Sequence, residues 1–407
     1  MAGQGRTIYI AGAGIAGLTL ALALAKFGAT VVVLEKRRRI DEFGAGLQIS
    51  PNARRVLDRL GLDRALSSVG FEPEGIDIYP HGATRPLTTL RLGQAARDRF
   101  GVPYAVFHRR DLIEVLHKAC KRFANIDIVF GVNRFNVATH ARGMTVLVDE
   151  SGGRAREARP FALVGADGVR STTRTGLLGG PDAVYSGYVG WRALLPLTAL
   201  EGIAATDRTS LMYGPGFHAV VYPLPRHGNA NVALFTREPE ARAFAEPAPH
   251  MPSFRRRLVL SQRLQALMAA IGDTWTHWPL SFVAARQWHA GPIGLIGDAA
   301  HAMLPFQAQG AAMAIEDAAI LAPLLITEPD AETAFRRYEG LRQARTRRVA
   351  RVSAANGRAF HLEWPLSLGR DAVIAMQGPL GHFRRLAWLY DYDAAPEIER
   401  YSARKTG

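Results

Sequence analysis

The chain has 407 residues, of which 48% are hydrophobic and 21% charged. This balance excludes intrinsic disorder and suggests two or three folded domains. A single cysteine, Cys120, excludes a disulfide framework, a thiolate zinc site and an iron–sulfur cluster, so we expect a reducing cytoplasm. The net charge is +14, but the arginines are scattered without interleaved aromatic residues. We therefore expect no nucleic-acid partner.

The first segment predicts a strand, a helix and a second strand. Thr7–Ala11 is typical of a short buried strand, about Ile15–Phe27 of a helix capped by Gly28, and Thr30–Leu34 of a second buried strand. The apolar run imitates a signal peptide, but it contains glycines and ends at Lys26, short of the ~20 residues of a membrane span. No other segment is long and apolar enough to span, so we expect a βαβ unit and no membrane span.

Gly12, Gly14 and Gly17 form a G-x-G-x-x-G pattern between this first strand and helix. The first glycine permits a tight turn, the second lets the backbone approach a pyrophosphate, and the third lets helix and strand pack closely. Glu35 ends the second strand, where a carboxylate binds adenosine ribose hydroxyls and repels a 2′-phosphate. The pattern predicts bound FAD or NAD rather than NADP. An ordinary α/β turn with a surface glutamate is the alternative.

Further elements follow along the chain. Asn52–Leu60 and Asp111–Phe123 are predicted as amphipathic helices, and Ile126–Phe130 and Met144–Val148 as strands. From about Val184 to Val283, strand-like sequence predicts a second domain of antiparallel strands inserted into the first.

The inserted region contains the strand-like runs Ala219–Leu224 and Asn231–Phe235. A Pro-rich loop, Glu246–Pro252, precedes an Arg-rich helix that begins near Arg255–Arg257. The chain is predicted to be helical again from Ala299, with a long basic helix over about Ala331–Asn356 and aromatic-rich sequence after Trp364.

Two short buried strands, Phe161–Gly165 and Ile293–Gly297, each run into an aspartate, Asp167 and Asp298 respectively. The Asp298 carboxylate can reach a cofactor hydroxyl, whereas a simple strand–turn–helix junction explains Asp167 equally well. A helix that begins near Gly310 would direct its N-terminal N–H groups at developing negative charge. For His301, a structural role in the loop is at least as good an interpretation as a catalytic one.

In this order and at these separations, the glycine motif and the two strand–aspartate junctions strongly resemble the class A flavoprotein monooxygenases. That family includes salicylate, 3-hydroxybenzoate and 6-hydroxynicotinate hydroxylases. Gly44–Asn52 resembles its second FAD-contacting stretch, and His108–Leu112 resembles its HRxDL helix start. Leu389–Ala394 matches a short C-terminal signature of the salicylate-hydroxylase-like branch. The resemblance covers nearly the whole chain.

The resemblance implies an α/β fold with a Rossmann-like FAD-binding domain, an inserted and mostly antiparallel β-sheet substrate domain, and a helical C-terminal segment. We expect the discontinuous FAD-binding domain over residues 1–75, 100–182 and 286–365. The substrate domain is expected over residues 76–99 and 183–285, and the C-terminal segment over residues 366–407.

The implied cofactors are noncovalently bound FAD and a transient NADH or NADPH; no metal is expected. Asp167 would contact both FAD and the nicotinamide cofactor, and Ala312 would join the backbone that faces the flavin ring. The run Lys36–Arg39 would favour NADPH or would only be solvated. The residues expected to bind FAD are Gly12, Gly14, Ala16, Gly17, Glu35, Lys36, Leu47, Gln48, Arg109, Val132, Asp167, Asp298, Gly310 and Ala311.

The candidate catalytic residues are His218 and Tyr222. Positions 218, 220 and 222 share one face of a strand, so both side chains can point into one cavity. The hydroxynicotinate and 3-hydroxybenzoate hydroxylases carry a similar His-x-x-x-Tyr, and a histidine can accept a phenolic proton near neutral pH. A His–Tyr pair that only supports the sheet is the alternative. Arg85 and Arg192 could each neutralise a substrate carboxylate.

The resemblance implies an aromatic hydroxylase of aromatic-compound catabolism. NAD(P)H would reduce the flavin, O2 would add to give a C4a-hydroperoxide, and its distal oxygen would attack a small phenolic or hydroxy-carboxylate ring. One alternative is a flavoprotein of the same fold that epoxidises or hydroxylates a non-aromatic or quinone-like substrate. Another is a basic, non-enzymatic binding or redox-sensor protein. A homodimer is left open.

Overall fold

The computed structural model describes residues 5–40, 46–132, 134–140, 143–149, 155–245 and 261–394. The Pro-rich loop Glu246–Pro252 and the Arg255–Arg257 run lie outside the described residues. The same holds for Gly44 and Ala45 of the stretch expected to contact FAD.

The strands and helices of the described residues alternate at the N-terminus and then separate into sheet-rich and helix-rich regions. The strands are β1 (Thr7–Ala11), β2 (Thr30–Glu35), β3 (Gly46–Ile49), β4 (Gly75–Tyr79), β5 (Thr88–Arg91), β6 (Ala105–His108), β7 (Ile126–Phe130), β8 (Arg134–His140), β9 (Gly143–Asp149), β10 (Ala155–Ala158), β11 (Ala162–Gly165), β12 (Val184–Pro196), β13 (Thr209–Gly214), β14 (Phe217–Leu224), β15 (Asn229–Arg237), β16 (Thr276–Phe282), β17 (His289–Ala290) and β18 (Ile293–Leu295). The helices are α1 (Ile15–Lys26), α2 (Pro51–Arg59), α3 (Asp63–Val69), α4 (Gly93–Phe100), α5 (Arg109–Cys120), α6 (Glu240–Ala243), α7 (Gln262–Ile271), α8 (Asp298–His301), α9 (Gly310–Thr327), α10 (Ala331–Phe360) and α11 (Leu366–Tyr390).

The N-terminal βαβ unit forms as predicted and lies in a six-stranded sheet of order β17-β18-β11-β1-β2-β7. All neighbouring pairs are parallel except β17 with β18. The central strands are buried on both faces, which explains their uninterrupted apolar sequence. Because β1, β2, β11 and β18 run in one direction, the residues that follow them meet at one edge of the sheet.

A seven-stranded sheet of order β16-β12-β15-β14-β13-β4-β5 forms the second layer. Its pairs are antiparallel except β13 with β4, which run parallel. Two smaller sheets, β10-β9-β8 and β3-β6, complete the strand pairing of the described chain.

Helix α10 is four residues longer than the predicted Ala331–Asn356 and ends at Phe360. Gly357 lies within this extension, where its lack of a side chain serves packing. A Cβ atom at Gly357 would lie 2.4 Å from the ring of Phe306. The helix continues to His361, which caps its C-terminus.

Helix α9 corrects the expectation that no later segment is long and apolar enough to cross a membrane. By length and hydropathy Gly310–Thr327 meets that test, but 78% of it is buried inside the protein. Its two acidic residues, Glu316 and Asp317, are fully buried and paired with arginines. These observations describe the core helix of a folded domain.

The charged pairs of α9 connect three parts of the fold. Arg342 on α10 donates from Nη1 to Glu316 at 2.6 Å and from Nε to Asp317 at 2.7 Å. Arg345 binds both oxygens of Glu316 at 2.7 Å. His301 contacts Asp317 at 2.6 Å, which supports its structural interpretation. The network therefore fixes α10 and the Asp298 loop relative to α9.

We expect the Arg342→Met substitution to lower the free energy of unfolding by about 3–5 kcal/mol, because it removes the buried cation that Glu316 and Asp317 share. Arg336→Met is the matched control, since it removes an exposed partner of Glu332 on the same helix and should cost about 1 kcal/mol or less. Urea denaturation followed by circular dichroism measures both. Equal losses in the two variants would contradict the role given to the network.

Candidate active site

A cavity of about 1670 Å³ opens at the carboxyl ends of the parallel strands. Its lining includes Gly12, Glu35, Asp167 and Asp298 from the six-stranded sheet. The opposite wall comes from the seven-stranded sheet. A cavity for one drug-sized ligand is typically about 300–1,000 Å³, so this one has room for two molecules.

The three motif glycines have different structural roles. Gly12 has a φ of +107°, and a Cβ atom there would lie 2.6 Å from the Ala166 carbonyl oxygen. A Cβ atom on Gly17 would lie 2.0 Å from the Gly12 carbonyl oxygen, so Gly17 serves helix packing and does not line the cavity. Gly14 precedes α1, and a Cβ atom there would meet no protein atom within 4 Å. The space beside Gly14 is thus open to a ligand.

Glu35 connects the end of β2 to the glycine turn. Its Oε2 accepts a hydrogen bond from the Ala13 backbone N–H at 2.8 Å, and its Oε1 accepts one from the Arg37 N–H at 2.9 Å. Each carboxylate oxygen has a further lone pair, so both can still accept a hydrogen bond from a ribose hydroxyl. Lys36 is exposed beside it, and Val132 donates its backbone N–H to the Glu35 carbonyl.

The two aspartates predicted at strand ends both face the cavity. Asp167 accepts three hydrogen bonds at Oδ2 from Thr172 and Thr173, whereas its Oδ1 is buried without a partner among the described residues. A buried oxygen that lacks a donor is costly, and a bound cofactor can supply one. Asp298 is exposed at the cavity rim, beside the first turn of α9.

The remaining cofactor residues come from three elements. Leu47 and Gln48 lie on β3, and Arg109 is the first residue of α5. Gly310 and Ala311 begin α9, whose N-terminal N–H groups suit an electron-rich ring. Ala312 is buried and, unlike Gly310 and Ala311, does not line the cavity. The predicted residues that line the cavity are Gly12, Gly14, Ala16, Glu35, Lys36, Leu47, Gln48, Arg109, Val132, Asp167, Asp298, Gly310 and Ala311.

This set fits FAD. The open turn at Gly14 can accept a pyrophosphate, Glu35 a ribose, and the α9 N-terminus a flavin ring.

Cys120 is buried at the end of α5 and does not line the cavity, and burial raises the pKa of its thiol to about 12. That thiol stays protonated and unreactive at neutral pH.

His218 and Tyr222 both line the cavity from β14. They stand about 13 Å apart along the strand, and no hydrogen bond joins them among the described residues. Tyr222 packs against the backbone of Gly46, where a Cβ atom would lie 2.4 Å from its ring. Burial raises the pKa of the Tyr222 hydroxyl, although Arg192 acts in the opposite direction. The two side chains therefore occupy separate positions on the wall of the cavity that β14 forms.

His218 is only 1% exposed and is enclosed by aromatic rings. Its ring stacks on Phe235 with 4.7 Å between the centroids, and it meets the edge of Phe306 at 4.8 Å. Its Nδ1 lies 2.8 Å from Nε2 of His361. Burial lowers the pKa of His218 well below its ordinary value, and His361 lowers it further. His218 is therefore neutral at neutral pH.

The structure distinguishes between the two candidate arginines. Arg192 lies on β12 opposite Ala233, which in turn lies opposite Val220 on β14, and all three line the cavity. Arg85 is exposed and does not line it. Burial lowers the pKa of Arg192, Tyr222 raises it and Arg109 lowers it again. Within the described part of the chain, no carboxylate pairs with the Arg192 guanidinium. The register that brings Arg192 to the cavity could not be read from local sequence.

Several known proteins are similar to this chain in sequence or in fold. The FAD binding domain family matches residues 6–354. The chain is 32% identical to 3-hydroxybenzoate 6-hydroxylase 1 of Aquipseudomonas alcaligenes, over 97% of this chain and 99% of that protein. It is 30% identical to 6-hydroxynicotinate 3-monooxygenase of Bordetella bronchiseptica, over 86% of this chain and 91% of that protein. Klebsiella pneumoniae HpxO complexed with FAD and uric acid has a similar fold, with a TM-score of 0.76 and 22% sequence identity. The match covers 96% of this chain and 97% of the HpxO chain.

The matched family spans both the βαβ unit and the substrate end of the cavity. The family resemblance expected from the sequence motifs is thereby confirmed. The chain belongs to the FAD-binding-domain family of class A flavoprotein aromatic monooxygenases and is an FAD-dependent enzyme of that class.

Proposed function

We propose that the enzyme hydroxylates a small aromatic compound that carries both a phenolic hydroxyl and a carboxylate, with NADH or NADPH as reductant and O2 as co-substrate. Arg192 is the observation that carries this proposal, because its guanidinium faces the cavity without a described counter-ion. A half-buried cation without a partner is unfavourable, and an anionic group of the substrate would stabilise it. The names of the two relatives specify a hydroxybenzoate and a hydroxynicotinate, and each compound has both groups.

Strand register supports this choice of substrate. Arg192 and Val220 lie on either side of Ala233, so they stand about 10 Å apart across the sheet. His218 is two residues from Val220, about 7 Å further along β14. An aromatic ring held between Arg192 and His218 would direct its carboxylate to the arginine and its hydroxyl to the histidine.

The residues at this end of the cavity would prepare the ring for oxygen transfer. When bound, the flavin supplies the reduced centre that activates O2. His218 accepts the phenolic proton at Nε2, which makes the ring more electron-rich. Phe235 and Phe306 enclose the histidine and keep water from it. Arg192 orients the ring through its carboxylate.

We also propose that the two large sheets belong to regions that bind different ligands. Residues 1–75, 100–182 and 286–365 would hold FAD, and residues 76–99 and 183–285 would bind the substrate. This division is supported by β4 and β5, which join β12–β16 in one sheet although they are distant in sequence.

The arginines after Glu35 suit either nicotinamide cofactor. The relatives are bacterial enzymes, and a cytoplasmic location remains part of the proposal.

Gly14→Val should yield folded protein without flavin. The new side chain meets no protein atom but occupies the space where the backbone would approach a pyrophosphate. The flavin-to-protein absorbance ratio after gel filtration measures retention, and circular dichroism confirms folding. Gly340→Val on α10 is the control, because that glycine is exposed and also has open space beside it. Full flavin occupancy in Gly14→Val would refute the placement of the pyrophosphate.

Arg192→Gln should raise the KM for a carboxylate-bearing phenol by roughly 10- to 100-fold, as expected for a lost charge-assisted hydrogen bond. Substrate-stimulated NAD(P)H oxidation measures the change, with hydroxylated product quantified separately. Arg85→Gln is the matched control, since that arginine lies outside the cavity. A phenol without the carboxylate should show no difference between the wild type and Arg192→Gln. An unchanged KM for the acid would remove Arg192 from the substrate site.

His218→Ala should lower the rate of hydroxylation by about 100- to 10,000-fold, the range for loss of a general base. The flavin spectrum and the reactivity of the reduced enzyme toward O2 should remain, because His218 lies at the substrate end. Stopped-flow absorbance separates flavin oxidation from product formation. His140→Ala, at an exposed position on β8, controls for histidine removal. Wild-type coupling in His218→Ala would reduce that residue to a structural role.

A further inference from the structure

His361 approaches the substrate end from a part of the chain that no sequence motif connected with it. It caps the C-terminus of α10, and its Nε2 lies 2.8 Å from Nδ1 of His218, 143 residues earlier in the chain. Both histidines are buried, with 1% of His218 and 6% of His361 exposed. The contact is the hydrogen bond that orients His218 within the described residues.

The other neighbours of His218 are apolar. Phe235, Phe306 and Phe360 surround its ring, with centroid distances of 4.7, 4.8 and 5.2 Å. These rings restrict where the imidazole lies, but they cannot determine which nitrogen is used. Because Nδ1 is engaged by His361, Nε2 is the nitrogen left for a ligand in the cavity.

We propose that His361 is a positioning residue for His218. After His218 has taken the phenolic proton at Nε2, His361 accepts a hydrogen bond from the Nδ1–H of His218. This inference rests on the proposed function. It assigns to the α10 terminus a part in the proton transfer, beside the role of α10 in packing.

The direction of the hydrogen bond in the protonated state follows from the chemistry of imidazole. The phenolic O–H bond breaks, its electron pair stays on oxygen, and the proton forms a bond with Nε2 of His218. Both ring nitrogens of the resulting imidazolium are donors. His361 must then accept at Nε2, which requires that its own ring remains neutral. The reverse transfer returns the proton, and no electrons change hands.

The surroundings of His361 keep it neutral. Burial and, to a smaller extent, the positive charge of Arg237 together lower its pKa to about 3. Arg237 on β15 donates to the hydroxyl of Tyr188 on β12, whose ring centroid lies 5.4 Å from that of His361. Besides His218 on β14, Arg237 and Tyr188 are the titratable or charged groups on the described strands that contact His361 or act on its pKa. A neutral His361 offers a lone pair at every pH at which the enzyme would work.

Two substitutions separate this role from simple packing. His361→Phe keeps an aromatic ring but cannot accept a hydrogen bond, whereas His361→Gln offers an amide oxygen as acceptor. A charge-assisted hydrogen bond of this kind corresponds to roughly a 10- to 100-fold change. We therefore expect kcat for hydroxylation to fall by about that factor in His361→Phe and to recover to within about fivefold of wild type in His361→Gln. KM should change less than kcat in both variants.

A second measurement needs no turnover. The absorbance of a phenolic acid bound to oxidised holoenzyme reports its phenolate fraction as a function of pH. His361→Phe should raise the apparent pKa of the bound phenol by about 1–2 units, and His361→Gln should restore most of that shift. Flavin content and thermal unfolding verify that each variant is folded and loaded, and His140→Gln serves as the control at an exposed histidine.

The double variant tests whether His361 acts through His218. In a His218→Ala background, His361→Phe should cause less than about a twofold further loss, because the group it serves is gone. Losses that multiply, or a wild-type phenolate fraction in His361→Phe, would overturn the inference, as would His361→Gln behaving like His361→Phe. A wild-type enzyme that gave no hydroxylated product would refute the proposed function. The phenolate titration would still decide the role of His361.

Discussion

Two adjacent carboxylates buried on α9, those of Glu316 and Asp317, are the constraint on which the site depends. Burial alone would raise the pKa of Asp317, but His301 and Arg342 outweigh it and hold that pKa below its ordinary value. The ion pair between Asp317 and Arg342 therefore stays charged at neutral pH. Through it α9 is tied to α10, and the backbone N–H of Gly297 donates to Asp317 at 2.9 Å just before Asp298. The same helix α10 extends about 28 Å from Arg342 to His361, so one anchored element serves both ends of the cavity.

Much of the cofactor end could be predicted from the sequence because its signals are local. The βαβ unit follows from two uninterrupted apolar strands and a glycine turn, and both aspartates were predicted from buried strands that end beside them. Gly17 was expected both to bind FAD and to let the helix pack closely; it lies against Gly12 and does not line the cavity, so the first expectation is corrected. Parallel strands then bring the predicted residues to one edge without further information.

The substrate end could not be predicted to the same degree, because its contacts depend on distant register. Arg85 and Arg192 were equivalent in sequence, and only the pairing of β12 with β15 brings Arg192 to the cavity. His361 was missed because the basic helix was predicted to end near Asn356, whereas in the fold it continues to Phe360 and is capped by His361. The spacing of His218 and Tyr222 correctly predicted a shared face, but their different neighbours separate their roles.

The charges of Arg192, His218 and His361 indicate the order in which the proposed substrate binding and proton transfer would occur. Before substrate binds, Arg192 is a cation without a described partner, and His218 and His361 are neutral because burial lowers their pKa values. An isolated imidazolium at His218 would be unfavourable in this apolar enclosure. Once a substrate carboxylate lies on Arg192, transfer of the phenolic proton creates an imidazolium and a phenolate together, so the total charge of the enclosure does not change. The apolar walls then oppose the transfer less than they oppose protonation from water. Under the proposed function, burial would therefore make His218 a base only toward a bound phenol, and substrate binding would precede deprotonation.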